Sequence, residues 1–186
     1  MWQDLVSIDQ ELLIYLNNLG SKQWDFIWLT ITNQLNWIPL FLLIFYLVIK
    51  AFGWKRGLFA ILGMIILVAV SDQFTNQVKD YFMRLRPNNN PLIRDQIRTL
   101  ISPQSNSFYS GHAATSSVFT VFTILLLRHK YKYIWLLLLF PLVFGYSRLY
   151  LGVHFPIDVC IGFLAGTILG ILSYKLFSLL DKKLFD

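Results

Sequence analysis

Five apolar stretches, at residues 37–52, 57–78, 113–127, 133–146 and 156–180, are long enough, or nearly so, to cross a hydrocarbon layer of roughly 30 Å as helices. Only 14% of the 186 residues are charged, 56% are hydrophobic, and the mean hydropathy is +0.56. A water-soluble chain of this length has too little interior to hide so much apolar surface. The composition therefore excludes a disordered or nucleic-acid-coating protein and asks for lipid as solvent. The expected fold is all-α, one polytopic membrane bundle over residues 1–186. Two spans are short, so their ends are expected to run into Gly111 and Ser147. The 37–52 span crosses comfortably only if its helix begins upstream, near Phe26 or Ile31.

Ahead of the spans, Leu5, Ile8, Leu12, Leu13 and Leu16 recur at helical spacing opposite Asp4, Asp9, Gln10 and Glu11. This suits a helix lying in the membrane interface within residues 1–25, and the acids disfavour a sixth span. The net charge of +6 does not point to nucleic acid in a membrane protein, where basic residues mark loops, headgroup anchors or anion sites. Lys50, Lys55 and Arg56, then Arg128, Lys130 and Lys132, then Lys175, Lys182 and Lys183 all fall on one side of a five-span bundle. The positive-inside rule makes that side cytoplasmic. The 79–111 and 147–155 connections then lie on the outer face, which in a bacterial inner membrane is periplasmic. That outer face is itself basic, and Arg84, Arg94 and Arg98 read as steering or holding anionic headgroups. The Asn- and Pro-rich 87–106 loop reads as an extended cap, and the single cysteine, Cys160, as a small hydrophobe.

Three polar clusters share the outer ends of the spans. In the first, Asp72, Thr75, Asn76 and Lys79 form a polar stripe that must face the bundle. Seven residues beyond Lys79, on the same helix face, Arg86 stands near the helix end, because Pro87 disfavours helix at its predecessor. In the second, Ser110, Gly111 and His112 precede an apolar helix, whose free N–H groups can cradle an anion. In the third, Ser147 and Arg148 are followed by His154 and, across Pro156, by Asp158. A carboxylate four residues on can fix one imidazole nitrogen and leave the other free as base or nucleophile. Together these supply inward cations, two histidines, an orienting carboxylate and a helix start, an inventory that matches a phosphate ester. Carboxylates suited to a divalent cation are nearly absent from the outer loops, apart from Asp80 and Asp95, so no metal or other cofactor is expected. Gly162, Gly166 and Gly170, at four-residue spacing, read as a close-packing face within the bundle rather than a dimer seam.

The order Lys79, six residues, Arg86-Pro87; Ser110-Gly111-His112; Ser147-Arg148, five residues, His154, three residues, Asp158 resembles the three-part signature of the type 2 phosphatidic acid phosphatases, the lipid phosphate phosphatases. Tyr109 departs from the family pattern, which has proline there. The resemblance implies that Lys79, Arg86, Ser110, Gly111 and Arg148 bind phosphoryl oxygens. It also implies that His154 attacks phosphorus to form a phosphohistidine, that Asp158 holds its tautomer, and that His112 serves as acid and then base. Asp72, Arg84 and Tyr109 are secondary candidates. The partners expected are a lipid phosphate and the bilayer, with phosphatidate, phosphatidylglycerol phosphate, a polyprenyl diphosphate and phosphorylated lipid A all fitting. The alternative is a non-catalytic anion-binding membrane protein or transporter, although the inner halves of the spans offer almost no polar residues to line an aqueous path. A vanadate-dependent oxidase, with a related anion site, is argued against by the spans.

Overall fold

Local chemistry sets where the helices start and stop. The structure, a computed structural model, describes residues 2–185, so residues 1 and 186 of the expected 1–186 domain lie outside the described residues. Helix α1 spans Trp2–Asn18 and α2 spans Asp25–Thr32. The backbone then turns extended at Asn33, whose side chain accepts the Leu35 N–H. This Asx-type turn breaks the helix, so the first span does not begin near Phe26 or Ile31. It begins with the 3-10 turn Gln34–Trp37 and continues as α3, Ile38–Phe52, with Pro39 in the first turn where its missing N–H costs no helix bond.

Gly53, at φ +77°, makes the tight reversal into α4, Trp54–Phe82. After the 83–110 connection come α5, Gly111–Leu127, and the 3-10 stretch Lys132–Leu138. That stretch gives way to α6, Leu139–Tyr150, at Pro141, which cannot bond back into an upstream α-turn. Helix α7, Pro156–Phe185, closes the chain. All regular structure among the described residues is helical. Four stretches there (Gln34–Phe52, Trp54–Asn89, Lys132–Tyr150 and Pro156–Phe185) are long and apolar enough to cross a membrane, and α5 is a shorter apolar helix.

Helix α5 need not meet lipid along its length, because it is the centre of the bundle: twelve of its seventeen residues are buried. It packs chiefly on α7 through the glycine stripe. A Cβ on Gly162 would stand 2.6 Å from the Ser110 carbonyl oxygen, one on Gly166 2.3 Å from that of Ala114, and one on Gly170 3.1 Å from that of Val118. The stripe is therefore a contact inside the chain. Replacing Gly166 by leucine is expected to destabilise the bundle by about 3 kcal/mol or more, since a backbone carbonyl cannot move aside as a side chain can. Thermal unfolding in detergent should show a lowered midpoint with unchanged oligomeric mass; a changed mass at an unchanged midpoint would return the stripe to a dimer seam.

At one end of the bundle Arg56 and Asp181 pair at 2.6 Å, joining the start of α4 to the end of α7. At the other end, α1 packs on α6 and α7. Its inward face is Asp9, Leu13 and Asn17, all buried, while Leu5, Ile8, Leu12, Tyr15 and Leu19 point away from the protein. The amphipathic reading placed Asp9 on the polar outer side; it is instead one of the most buried acids in the chain. Asn17 explains the docking. Its amide donates to the carbonyls of Arg98, Leu149 and Tyr150 at 3.0, 3.2 and 2.8 Å and accepts the Arg98 N–H at 2.6 Å. Two of these carbonyls, those of Leu149 and Tyr150, lie at the end of α6, so the amide ties α1 to that helix end and to the 83–110 connection.

Candidate active site

The ends of α4, α5, α6 and α7 nearest α1 bring the three sequence clusters together. Helix α4 stops at Phe82, one turn earlier than a shared Lys79–Arg86 face requires, because Met83 adopts the left-handed conformation. Lys79 thus sits in the last turn, and Arg86 reaches back from extended backbone just before the buried Pro87. The Arg86 guanidinium is held at each of its three nitrogens. Its Nε donates to the Ser105 carbonyl at 2.6 Å, one terminal nitrogen to Ser105 Oγ at 2.9 Å, and the other to the Val153 carbonyl at 2.9 Å, while lying 3.2 Å from His154 Nε2.

Ser110 caps α5, its Oγ accepting the Ala113 N–H, and its own N–H donates to the Asp158 carbonyl at 3.0 Å. Gly111 lies against α4: a Cβ there would stand 3.4 Å from Thr75 Cγ2 and 3.8 Å from Lys79 Nζ, ordinary contact distances. The cation therefore stands beside the open N-terminus of α5, where free N–H groups favour an anion. His112 follows in the first turn, its ring 4.8 Å from that of Phe144. Arg148, in the last turn of α6, is buried; one terminal nitrogen donates to the Thr32 hydroxyl and Nε has no partner. Lys79 stands beside the start of α5, Arg86 lies against His154, and the Ser110 N–H ties that same helix start to Asp158, so the three clusters meet at one place.

His154 is 1% exposed. Burial pushes its pKa down to about 3, against the opposing pull of Asp158, so the free imidazole is neutral at physiological pH. The orienting contact is less direct than the His154-to-Asp158 spacing suggests. Nδ1 is 3.5 Å from Asp158 Oδ2 but 3.3 Å from Ser107 Oγ, and that hydroxyl donates to the same Oδ2 at 2.5 Å. Ser107 therefore relays between acid and imidazole. The carboxylate also accepts the Phe155 N–H at 3.0 Å and, on Oδ1, the Arg84 guanidinium at 2.5 Å. With Nδ1 held as the donor, Nε2 presents its lone pair toward Arg86.

The secondary candidates divide. Arg84 is part of the site's frame, tied to Asp158 and Asp9, and Arg98 pairs with Asp25 at 2.7 Å. Neither is a free headgroup-steering cation, which corrects the sequence reading; Arg94 remains exposed beside Asp95. Asp72 accepts from Asn76 and lines an apolar cleft two turns below Lys79, outside the cluster of Lys79, Arg86 and Arg148. Thr75 and Lys79 are buried while Asp72 and Asn76 are exposed, so only half of the polar stripe faces the bundle. Tyr109 is buried beside Phe108, 6.0 Å between ring centres. Asp9, Thr32, Ser105 and the relay role of Ser107 were missed. Asp9, Leu13 and Asn17 share a helix face at four-residue spacing, and only Leu13 among them marks that face as inward from sequence.

Residues 56–181 match the sequence model of the PAP2 superfamily. The chain belongs to that superfamily. The relatives similar to it include the lipid A 4'-phosphatase of Bacteroides thetaiotaomicron, 32% identical over 94% of this chain and 79% of the relative. Phosphatidylglycerophosphatase B of Bacillus subtilis is 32% identical over 65% of this chain and 58% of its own length. Among solved structures, a PAP2-type phosphatidylglycerolphosphate phosphatase from Bacillus subtilis superposes with a TM-score of 0.75 at 22% identity, over 97% of this chain and 88% of that one, which supports the fold. LpxE of Aquifex aeolicus gives 0.62 at 29% identity, over 89% and 93%. The expectation of an integral membrane lipid phosphatase is met by these relatives. Helices α1 and α2 lie outside the segment that matches the PAP2 sequence model, yet they supply Asp9, Asn17, Asp25 and Thr32 to the surroundings of the site.

Proposed function

We propose that this PAP2-superfamily chain removes the terminal phosphate of a membrane lipid through a phosphohistidine on His154, without a metal. One observation carries the reading. Among the described residues, no carboxylate lies within ion-pair distance of Lys79, Arg86 or Arg148, although all three are buried. Buried cations without counter-charges are costly, and a phosphoryl group with several oxygens supplies what they lack. The unpartnered Arg148 Nε adds a donor with nothing yet to bind. With the phosphoryl group seated, its oxygens compete for Arg86 and free the Nε2 lone pair of His154. Nε2 forms the N–P bond, the P–O bond to the lipid breaks, and His112, which holds a proton once the negative charge of the bound phosphate offsets the neighbouring cations, gives that proton to the departing oxygen. A water then attacks phosphorus, His112 takes its proton, and the N–P bond breaks to release inorganic phosphate. Lys79, Arg86, Arg148 and the N–H groups at the start of α5 stabilise the charge gathering on the equatorial oxygens.

The lipid tail would lie in the cleft of about 530 Å³ lined by Trp37, Phe41, Phe119, Phe140 and Phe144, which begins one turn along α5 from His112. The basic helix ends far from the site favour a cytoplasmic placement of that end, and so a periplasmic active site in an inner membrane. Relatives aligned over more than nine tenths of the chain are named for lipid A, which puts phosphorylated lipid A first among the four candidate lipids. The test is phosphate release by the purified chain in micelles from each of the four lipids, with and without excess chelator. Release from at least one, unchanged by chelator, is expected. Release that stops with chelator and returns with a divalent cation overturns the metal-free reading.

A further inference from the structure

We propose that Asp9, on the N-terminal helix, is a positioning residue for the reaction: it holds the Arg84 fork so that Arg84 fixes the second oxygen of Asp158, and through Asp158 the attack line of His154. The inference rests on the function proposed above. Asp158 is held on Oδ2 by Ser107, from the 83–110 connection, and by the N–H of Phe155, the residue after the histidine it serves. On Oδ1, among the described residues, it has only Arg84, at 2.5 Å. The other terminal nitrogen of Arg84 donates to Asp9 Oδ2 at 2.6 Å, and the guanidinium lies over the Phe155 ring, 4.0 Å from its centre. One planar fork thus spans two carboxylates on one aromatic face, a geometry that arginine can make and lysine cannot.

The remaining oxygen of Asp9 accepts the Ile157 N–H at 2.8 Å. That N–H is one of the free donors at the start of α7, and Phe155, which precedes the helix, has no side-chain oxygen to cap it. Asp9 therefore reaches Asp158 twice, through the guanidinium and through the helix turn that carries it. A neutral asparagine would serve the cap alone, at lower desolvation cost. What the carboxylate adds is a second claim on Arg84. The side chain of Asp9 is fully buried, and burial raises its pKa against the pull of Arg84, so its charge is kept at some expense. With Asp9 ionised, one guanidinium is shared by two acids, and Asp158 retains charge with which to hold the imidazole. With Asp9 neutral, the far nitrogen of the fork loses its ionic anchor, and Arg84 holds Asp158 Oδ1 in a less fixed geometry.

The test uses the full chain in micelles with a lipid monophosphate that the parent hydrolyses, comparing Asp9→Asn, Arg84→Lys and the double variant. Asp9→Asn is expected to lower kcat between about tenfold and about a hundredfold with KM within about twofold, as misorientation without lost binding does. In the Arg84→Lys background, Asp9→Asn should add little, because its route is already cut. Parental kcat in Asp9→Asn, a loss confined to thermal stability, or losses that multiply in the double variant would each overturn the proposal. If Asp9→Asn does not fold, Arg84→Lys decides it: lowered kcat at parental KM supports the fork, and unchanged kcat overturns it. Full activity in His154→Ala would instead defeat the function on which the proposal rests, and would do so independently of Asp9.

Discussion

Replacing His154 by alanine is expected to reduce phosphate release by at least about 10⁴-fold, the scale of loss when a covalent nucleophile is removed. The imidazole is buried and neutral, with Nδ1 toward Ser107 and Asp158 and Nε2 toward Arg86. Its removal leaves Arg86 with its three bonds to Ser105 and Val153, and Asp158 with Ser107, Phe155 and Arg84. The phosphate pocket should therefore survive, and the variant should still bind inorganic phosphate or vanadate. The measurement is twofold: steady-state release, and rapid quenching of the parent with labelled substrate to trap an acid-labile, alkali-stable phosphoramidate. Both turnover and the trapped species should vanish together. Turnover above about 1% of the parent would assign attack to a different group or directly to water.

The fold was readable in the sequence wherever one physical rule dominated. Apolar length determined the spans, and Pro156, which favours a first helical turn, set the start of α7. The glycine spacing at 162, 166 and 170 anticipated the α5 seam because only glycine admits carbonyls so close. Errors arose where two rules competed. Asn33 broke the first span because a side-chain bond to the Leu35 N–H outweighed the apolar run. Asp9 was read as facing water because acids on an amphipathic helix usually do. Here its partner, Arg84, lies 75 positions away, and no local pattern reveals such a pairing. The same limit hid Thr32 and Ser105: each holds a buried arginine, Arg148 or Arg86, through a bond set by tertiary packing. The cations and histidines themselves were legible because a lipid-facing chain cannot place charge at random. Arg84 looked surplus to the site only until its two buried acid partners, Asp9 and Asp158, were known.

His112 should reveal its role through the leaving group. It occupies the first turn of α5 beside the helix start that faces Lys79, and no step proposed for it requires contact with His154. A lipid alkoxide is a poor leaving group and needs a proton as the P–O bond breaks, so His112→Asn is expected to slow phosphatidate hydrolysis by about 10² to 10⁴-fold. An aryl phosphate such as p-nitrophenyl phosphate departs as a stable anion and needs no such proton. On that substrate the first step should be nearly spared, while the second, in which His112 takes a proton from water, should remain slow. The expected record is a burst of nitrophenolate equal to the active sites, followed by slow turnover. The parent, with both steps assisted, should show no such separation. A polyprenyl diphosphate should fall between the two, since its leaving group is a phosphate monoester. Equal losses on all three substrates, with no burst, would mean that His112 only binds phosphate; the acid and base would then have to be sought elsewhere at the mouth of α5.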